Sequence, residues 1–317
     1  MAMTGSDEGD DVERSGITPF LESRQFPPPS TTVQVTYGAQ SRCGRSRLIN
    51  EDHYLVLRLG RHQETLLTSL SDGVIAPRFD EYGYAMVVAD GMGSTGGEAA
   101  SHLAIATLVH LVRHFGKWNL RVDDTVAPEI MTRAEWFYRH IDTAVTYQRH
   151  SGTVRAGQTT LTATFGAGHD LFFAHVGHSR AYLFRDGHLM RLTRDHTVAR
   201  RQSRTVAAAP LVDVNAAARD LAHILTDTIG MRGSIGPTID IERLQLADDD
   251  RVLVCTNGLT DMVDEVGIEE VLTSAATPDD QCRSLVDLAM AGGGEDDVTA
   301  LVARYRIPRS ISRTPRG

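Results

Sequence analysis

Apolar residues along the chain fall into two rhythms, and their order sketches a fold. "TTVQVTYGAQS" (31–41) alternates like a half-buried strand. "HYLVLRLG" and "YAMVVAD" bracket a polar insert, "RHQETLLTSLSDGVIAPRFDEYG", which reads as a hairpin or surface excursion. "EAASHLAIATLVHLVRHFGKW" and "EIMTRAEWFYRHIDTAVTYQRH" repeat apolar residues at spacings of three and four, predicting two amphipathic helices in succession. Strand patterns return in "TTLTATFGAG", "DLFFAHVGHS", "RAYLFRDG" and "HLMRLT", separated by turn residues. Residues 199–230 are less regular. "ADDDR" (247–251) reads as an acidic turn, and "DRVLVCTNG" and "DVTALVARY" close as strands around one or two helices, notably "CRSLVDLAMAGG". Strands, a helix pair and strands again predict an α+β fold, and the adjacent hairpins predict antiparallel sheets.

Composition narrows the class. The 317 residues fit one large domain or two small ones, and 41% apolar with 23% charged residues is the make-up of a soluble globular protein. A net charge of −9 argues against nucleic acid as a partner, because phosphate backbones require a basic face. Three scattered cysteines (Cys43, Cys255, Cys282) indicate neither a disulfide framework nor a zinc cluster. No run approaches the ~18 apolar residues of a membrane helix and no signal peptide opens the chain, so a cytoplasmic location away from membranes is expected. Residues 1–30, acidic and then proline-rich ("FPPPS"), read as a disordered segment; 31–307 form the folded domain; 308–317 read as a basic disordered tail.

The candidate chemistry is acidic. "VVADGMGSTGGEAAS" ends an apolar strand on Asp90 and follows it with glycines. "RLINEDHYL" places Glu51 and Asp52 side by side at a strand start, four and five residues after Arg47; neighbours in a strand point to opposite faces, so one of the pair faces any shared site. "VCTNGLTDM" repeats the strand–polar–glycine arrangement at Asn257, and "GGGEDDVTALV" sets Asp296 and Asp297 before a strand. Taken singly, each cluster fits a cap or a turn. Four together suit a hard cation such as Mg²⁺ or Mn²⁺, which takes oxygen ligands in octahedral geometry. The thirteen histidines offer no helical pair with metal spacing, and Ser94 and Ser179 have no adjacent base, so a nucleophilic triad is unsupported.

In order, "RLINED", "ADGMGSTGGEAAS", "TTLTATF", "AHVGHSRAYLFRDGHLMRLTRDHT", "LVCTNGLTDMV" and "GGGEDDVTALV" resemble the motifs of the bacterial PPM-type (type 2C-like), metal-dependent serine/threonine protein phosphatases. The resemblance spans about residues 33–305. It implies two antiparallel β-sheets stacked face to face with helices outside, an αββα sandwich. It also implies a signalling hydrolase with two core Mn²⁺ or Mg²⁺ ions, acting on phosphoproteins made by a bacterial Ser/Thr kinase. Carried over, Glu51, Asp90 and the Gly91 carbonyl would hold one ion, and Asp90, Asn257 and Asp296 the other. Asp52 would orient the attacking water, and Arg47 would grip the substrate phosphate.

Three positions depart from the family pattern. His178 stands for an aspartate associated with a third metal, so that site is expected to be lost or altered; His178 is either a nitrogen ligand or a plain loop histidine. Asn257 stands for a carboxylate, bringing an oxygen without charge, and Asp297 stands for an asparagine. Two function classes follow: an active phosphoprotein phosphatase, or a catalytically impaired relative serving as a phosphoprotein-binding or regulatory module.

Overall fold

Two layers of antiparallel strands bury three apolar zones between and outside them. The structure, a computed structural model, describes residues 30–93, 96–117, 119–150, 157–205, 224–231 and 236–307. Segments 1–29 and 308–317, where the sequence predicts tails, lie outside the described residues, as does Ser94.

In chain order the strands are β1 (Gln34–Arg42), β2 (Asp52–Glu64), β3 (Arg78–Met92), β4 (Gln158–Thr159), β5 (Leu161–Ala167), β6 (Asp170–Val176), β7 (Arg180–Arg185), β8 (His188–Arg191), β9 (Asp240–Gln245), β10 (Arg251–Cys255) and β11 (Val298–Arg306). The helices are α1 (Gly97–Phe115), α2 (Val126–His150), α3 (Val198–Thr205), α4 (Asn257–Thr260), α5 (Glu265–Thr273) and α6 (Pro278–Ala291). One sheet runs β1-β11-β10-β7-β8; the other runs β2-β3-β5-β6-β9, with β4 paired to β3.

The insert between the two apolar runs is a hairpin. Its strands extend well into the insert, pairing from Asp52↔Asp90 to Glu64↔Arg78, with the turn at 65–77. Three helices, α4, α5 and α6, stand between β10 and β11 where one or two were expected, and two further elements had no expectation. Strand β9 pairs with β6 at one sheet edge, and helix α3 opens the stretch that reads as irregular.

Period-two alternation sorts the strand residues between zones. Met86 and Val88 of β3, Val252 and Val254 of β10, and Leu301 and Ala303 of β11 fill the space between the sheets. Their neighbours face outward: Val87 and Ala89 lie under α1 and α2, while Leu253, Cys255, Ala300 and Val302 lie under α6. Burial on both faces explains why these strands read as continuous apolar runs rather than alternations. The result is the expected αββα sandwich. Among the described residues no helix is long and apolar enough to cross a membrane.

Candidate active site

Extending the inward-facing register past the apolar core leads directly to the acids. On β3 the series Met86, Val88 continues to Asp90; on β10 the series Val252, Val254 continues to Thr256; on β11 the inward positions begin with Thr299. The sandwich therefore turns polar at one end. Asp52 lies directly opposite Asp90 in the β2–β3 ladder, and both are buried, at 6% and 8% exposure.

The hydroxyls of Thr256 and Thr299 donate to Asp52 Oδ2 at 2.8 and 2.7 Å. Asp52 Oδ1 is buried and accepts no hydrogen bond. Burial pushes the Asp52 carboxyl up to about 7, against the pull of the two threonine hydroxyls. Burial, then the neighbouring charges of Asp52 and Asp296, raise the Asp90 carboxyl well above the usual carboxylate range. His178 Nδ1 stands 3.7 Å from Asp90 Oδ2. The backbone at Asp90 is fixed by Thr160, between β4 and β5: Asp90 N donates to Thr160 Oγ1 at 3.0 Å, and Thr160 N donates to Asp90 O at 2.9 Å.

Glu51 points away from Asp52, as strand alternation requires, towards the start of α1. Its carbonyl accepts from Gly91 N at 3.1 Å and Ser101 Oγ at 2.6 Å. A Cβ on Gly91 would stand 2.3 Å from Gly97 O and 2.7 Å from Glu51 O, so only glycine lets β3, α1 and the 44–51 loop meet here. Arg47 joins the clusters, donating to Glu51 Oε2 at 3.2 Å and to Asp296 Oδ1 at 2.6 Å.

Asp297 supports this loop. It is 4% exposed, and its two oxygens accept the backbone N–H groups of Gly44 (2.8 Å) and Glu51 (2.7 Å). Asn257 opens α4 and donates from Nδ2 to Asp261 Oδ2 at 2.9 Å.

The structure thus brings Glu51, Asp52, Asp90 and Asp296 to one end of the sandwich, with Arg47 among them. Gly91 adjoins Asp90, and Asn257 follows Thr256 at the same end. Among the described residues, no three His, Cys, Asp or Glu side chains already stand in ligating positions around a common point. The donor set nevertheless fits a divalent cation: buried carboxylates, an acceptor oxygen of Asp52 without a hydrogen bond, and a glycine that opens the backbone.

Sequence reasoning missed Thr256, Thr299 and the clamp formed by Asp297. The signal for the threonines was a hydroxyl at an inward-parity position of an otherwise apolar strand. It also missed one histidine pair: His110 and His114 stand one turn apart on α1, exposed, with ring centroids 4.3 Å apart. They lie at the opposite end of α1 from Gly97 and the acids. Ser179 is buried and shares a hydrogen bond with Thr160 at 2.8 Å, so it is not a nucleophile poised for substrate.

Comparison with known proteins gives the class to which this αββα sandwich with acids at one end belongs. The family model for Protein phosphatase 2C matches residues 68–288. The serine/threonine protein phosphatase PstP of Mycobacterium tuberculosis is 33% identical over 225 residues, covering 69% of this chain and 40% of PstP. The serine/threonine phosphatase Stp of Listeria monocytogenes is 30% identical over 222 residues, covering 68% of this chain and 82% of Stp. The crystal structure of M. tuberculosis PstP/Ppp superposes with a TM-score of 0.64 at 27% identity, covering 85% of this chain and 98% of that one. The PstP catalytic domain in complex with two manganese ions gives 0.63 at 28%, covering 86% and 99%. The chain belongs to the protein phosphatase 2C, or PPM-type, family. It spans 40% of the length of full PstP.

Proposed function

We propose that this chain is a metal-dependent protein serine/threonine phosphatase. The observation that carries the reading is the facing pair Asp52 and Asp90 on the inward register of β2 and β3, with Glu51 and Asp296 bridged to each other by Arg47 at the same end of the sandwich. Glu51, Asp90 and the Gly91 carbonyl would hold one divalent ion, and Asp90, Asp296 and the Asn257 side-chain oxygen a second. Such ions, when bound, supply Lewis acidity towards water and the phosphoryl group.

The chain's own residues account for the rest. Thr256 and Thr299 occupy one oxygen of Asp52 and so aim the other, Oδ1, to accept a hydrogen bond from the attacking water. Arg47 offers a planar fork of donors to the substrate phosphate, which competes for it with Glu51 and Asp296. The oxygen donors suit Mg²⁺ and Mn²⁺ alike, and His178, 3.7 Å from Asp90, tilts the preference towards Mn²⁺.

The PstP–manganese complex supports the two-ion reading. Substrates would be proteins phosphorylated by a bacterial Ser/Thr kinase. Phosphate release from a phosphothreonine peptide should require added Mn²⁺ and stop with a chelator. Release that is indifferent to chelator would reject metal dependence, and no release at all would favour the phosphoprotein-binding module.

Asn257 supports a prediction that its hydrogen bond makes sharper. Asn257→Asp puts a second carboxylate beside that of Asp261, which the Asn257 amide contacts at 2.9 Å from across the single turn of α4. Without a cation the two charges repel, so the melting temperature of metal-free protein should fall by about 2–5 °C. With Mn²⁺ the added charge should strengthen binding, giving a larger Mn²⁺-induced rise in melting temperature than wild type shows. Equal Mn²⁺-induced rises in both proteins would place residue 257 outside the cation site.

Ser30, expected in the disordered segment, is fully buried and opens a 3₁₀ turn, so the phosphatase unit is taken as residues 30–307. Removing residues 1–29 should leave the melting temperature within about 2 °C, whereas a larger drop would extend the unit.

A further inference from the structure

The loop that carries Arg47 also lifts two aliphatic side chains into solvent. Leu48 is 101% exposed and Ile49 65%. The loop beneath them is anchored at many points. Gly44 N and Glu51 N donate to Asp297, Arg45 N donates to Gly294 O at 2.7 Å, and Arg45 Nη2 donates to Met290 O at 2.9 Å. Ser46 Oγ donates to Glu295 O, and Arg47 N closes a turn onto Gly44 O at 3.1 Å. Asn50, after Ile49, donates from Nδ2 to Ser41 Oγ at 2.9 Å.

A crest tied down on both sides holds its apolar residues outward and pays little ordering entropy when something covers them. Lone exposed leucines are common on protein surfaces and mean little. Leu48 and Ile49 differ because they adjoin, in sequence and on one anchored loop, the guanidinium assigned to the substrate phosphate. Among the described residues the other strongly exposed leucines, Leu66 and Leu67, sit in the 65–77 turn at the far end of the 13-residue strand β2.

We propose that Leu48 and Ile49 form a subsite for the residue flanking the phosphoamino acid, so that the preferred substrates are phosphoproteins with an aliphatic or aromatic residue beside the phosphoserine or phosphothreonine. An extended peptide advances about 3.3 Å per residue, so a phosphoryl group on Arg47 brings its immediate neighbours to the crest. The proposal rests on the phosphatase reading in taking Arg47 as the phosphate contact.

The test uses the full chain with Mn²⁺, p-nitrophenyl phosphate, and two phosphothreonine peptides differing only in whether leucine or serine flanks the phosphothreonine. Wild type should favour the leucine peptide about tenfold in kcat/KM, the low end of discrimination by an apolar contact. The double variant Leu48→Ser/Ile49→Ser should lose that preference while hydrolysing the aryl phosphate at the wild-type rate. Leu66→Ser/Leu67→Ser should keep the preference.

Equal rates on the two peptides in wild type would overturn the proposal, as would a preference that survives in Leu48→Ser/Ile49→Ser. A parallel loss on the aryl phosphate would also overturn it, showing that the crest only supports Arg47. If wild type leaves the aryl phosphate intact, the phosphatase reading fails, and fluorescence anisotropy with the same peptides decides the subsite. Tighter binding of the leucine peptide, lost in the double variant, upholds it; equal binding overturns it.

Discussion

Asp90→Asn should lower phosphatase turnover by on the order of 10²–10³-fold, the cost typical of losing one electrostatic stabiliser of the transition state. The folded structure should survive the change. Asparagine is nearly isosteric with aspartate, and the hydrogen bonds that fix this residue to Thr160 run through its backbone rather than its carboxylate. In metal-free protein the substitution should even stabilise. Asp90 is buried with Asp52 opposite it, and an amide removes one member of a crowded set of like charges. The signature is therefore a crossing of two measurements. Without metal the melting temperature should equal or exceed that of wild type, while the Mn²⁺-induced rise should vanish as turnover falls. A variant that melts lower without metal yet gains as much from Mn²⁺ as wild type would show that Asp90 is a structural acid and not a ligand.

The course of the strands explains why the fold was readable in the sequence and parts of the site were not. The runs "YAMVVAD", "RVLVC" and "VTALVA" announce buried strands because both of their faces are covered, one by the opposite sheet and one by helices. That same two-sided burial hides which face each residue takes. Nothing local distinguishes Val88, inside the sandwich, from Val87, under α1 and α2. Asp90 was legible as a strand-end acid next to glycines. Its partnership with Thr256 and Thr299 through Asp52 was not, because those contacts join residues 204 and 247 positions apart. Strand β9 escaped for the opposite reason: "DIERLQ" is polar enough to pass for a loop, and pairing with β6 at a sheet edge makes it a strand. Helix α3, "VARRQSRT", carries too few apolar residues to register as a core-facing helix.

Asp297→Ala should be among the most damaging single changes to the site, although Asp297 is assigned no contact with substrate or metal. Its side chain is buried, and each oxygen takes one backbone N–H from the 44–51 loop. Hydrogen bonds to a charged group contribute about 1.5–3 kcal/mol each, so losing both should cost about 3 kcal/mol or more. The melting temperature should drop by about 6 °C or more. The functional loss should exceed the thermal one, because the freed loop carries Arg47 and Glu51 out of register with Asp296 and Asp90. Asp297→Asn is the more incisive variant. An amide has one accepting oxygen and an NH2 that turns a donor towards a donor, so one of the two N–H groups must lose its partner. A cost of about 1–3 kcal/mol is expected, with faster hydrogen exchange confined to the amide of Gly44 or of Glu51. The family pattern places asparagine here, so the outcome also decides whether this chain has rebuilt the support of its loop around a carboxylate. Unchanged exchange at both amides in Asp297→Asn would mean that one acceptor suffices, and the second oxygen would then have no role in holding Arg47 in place.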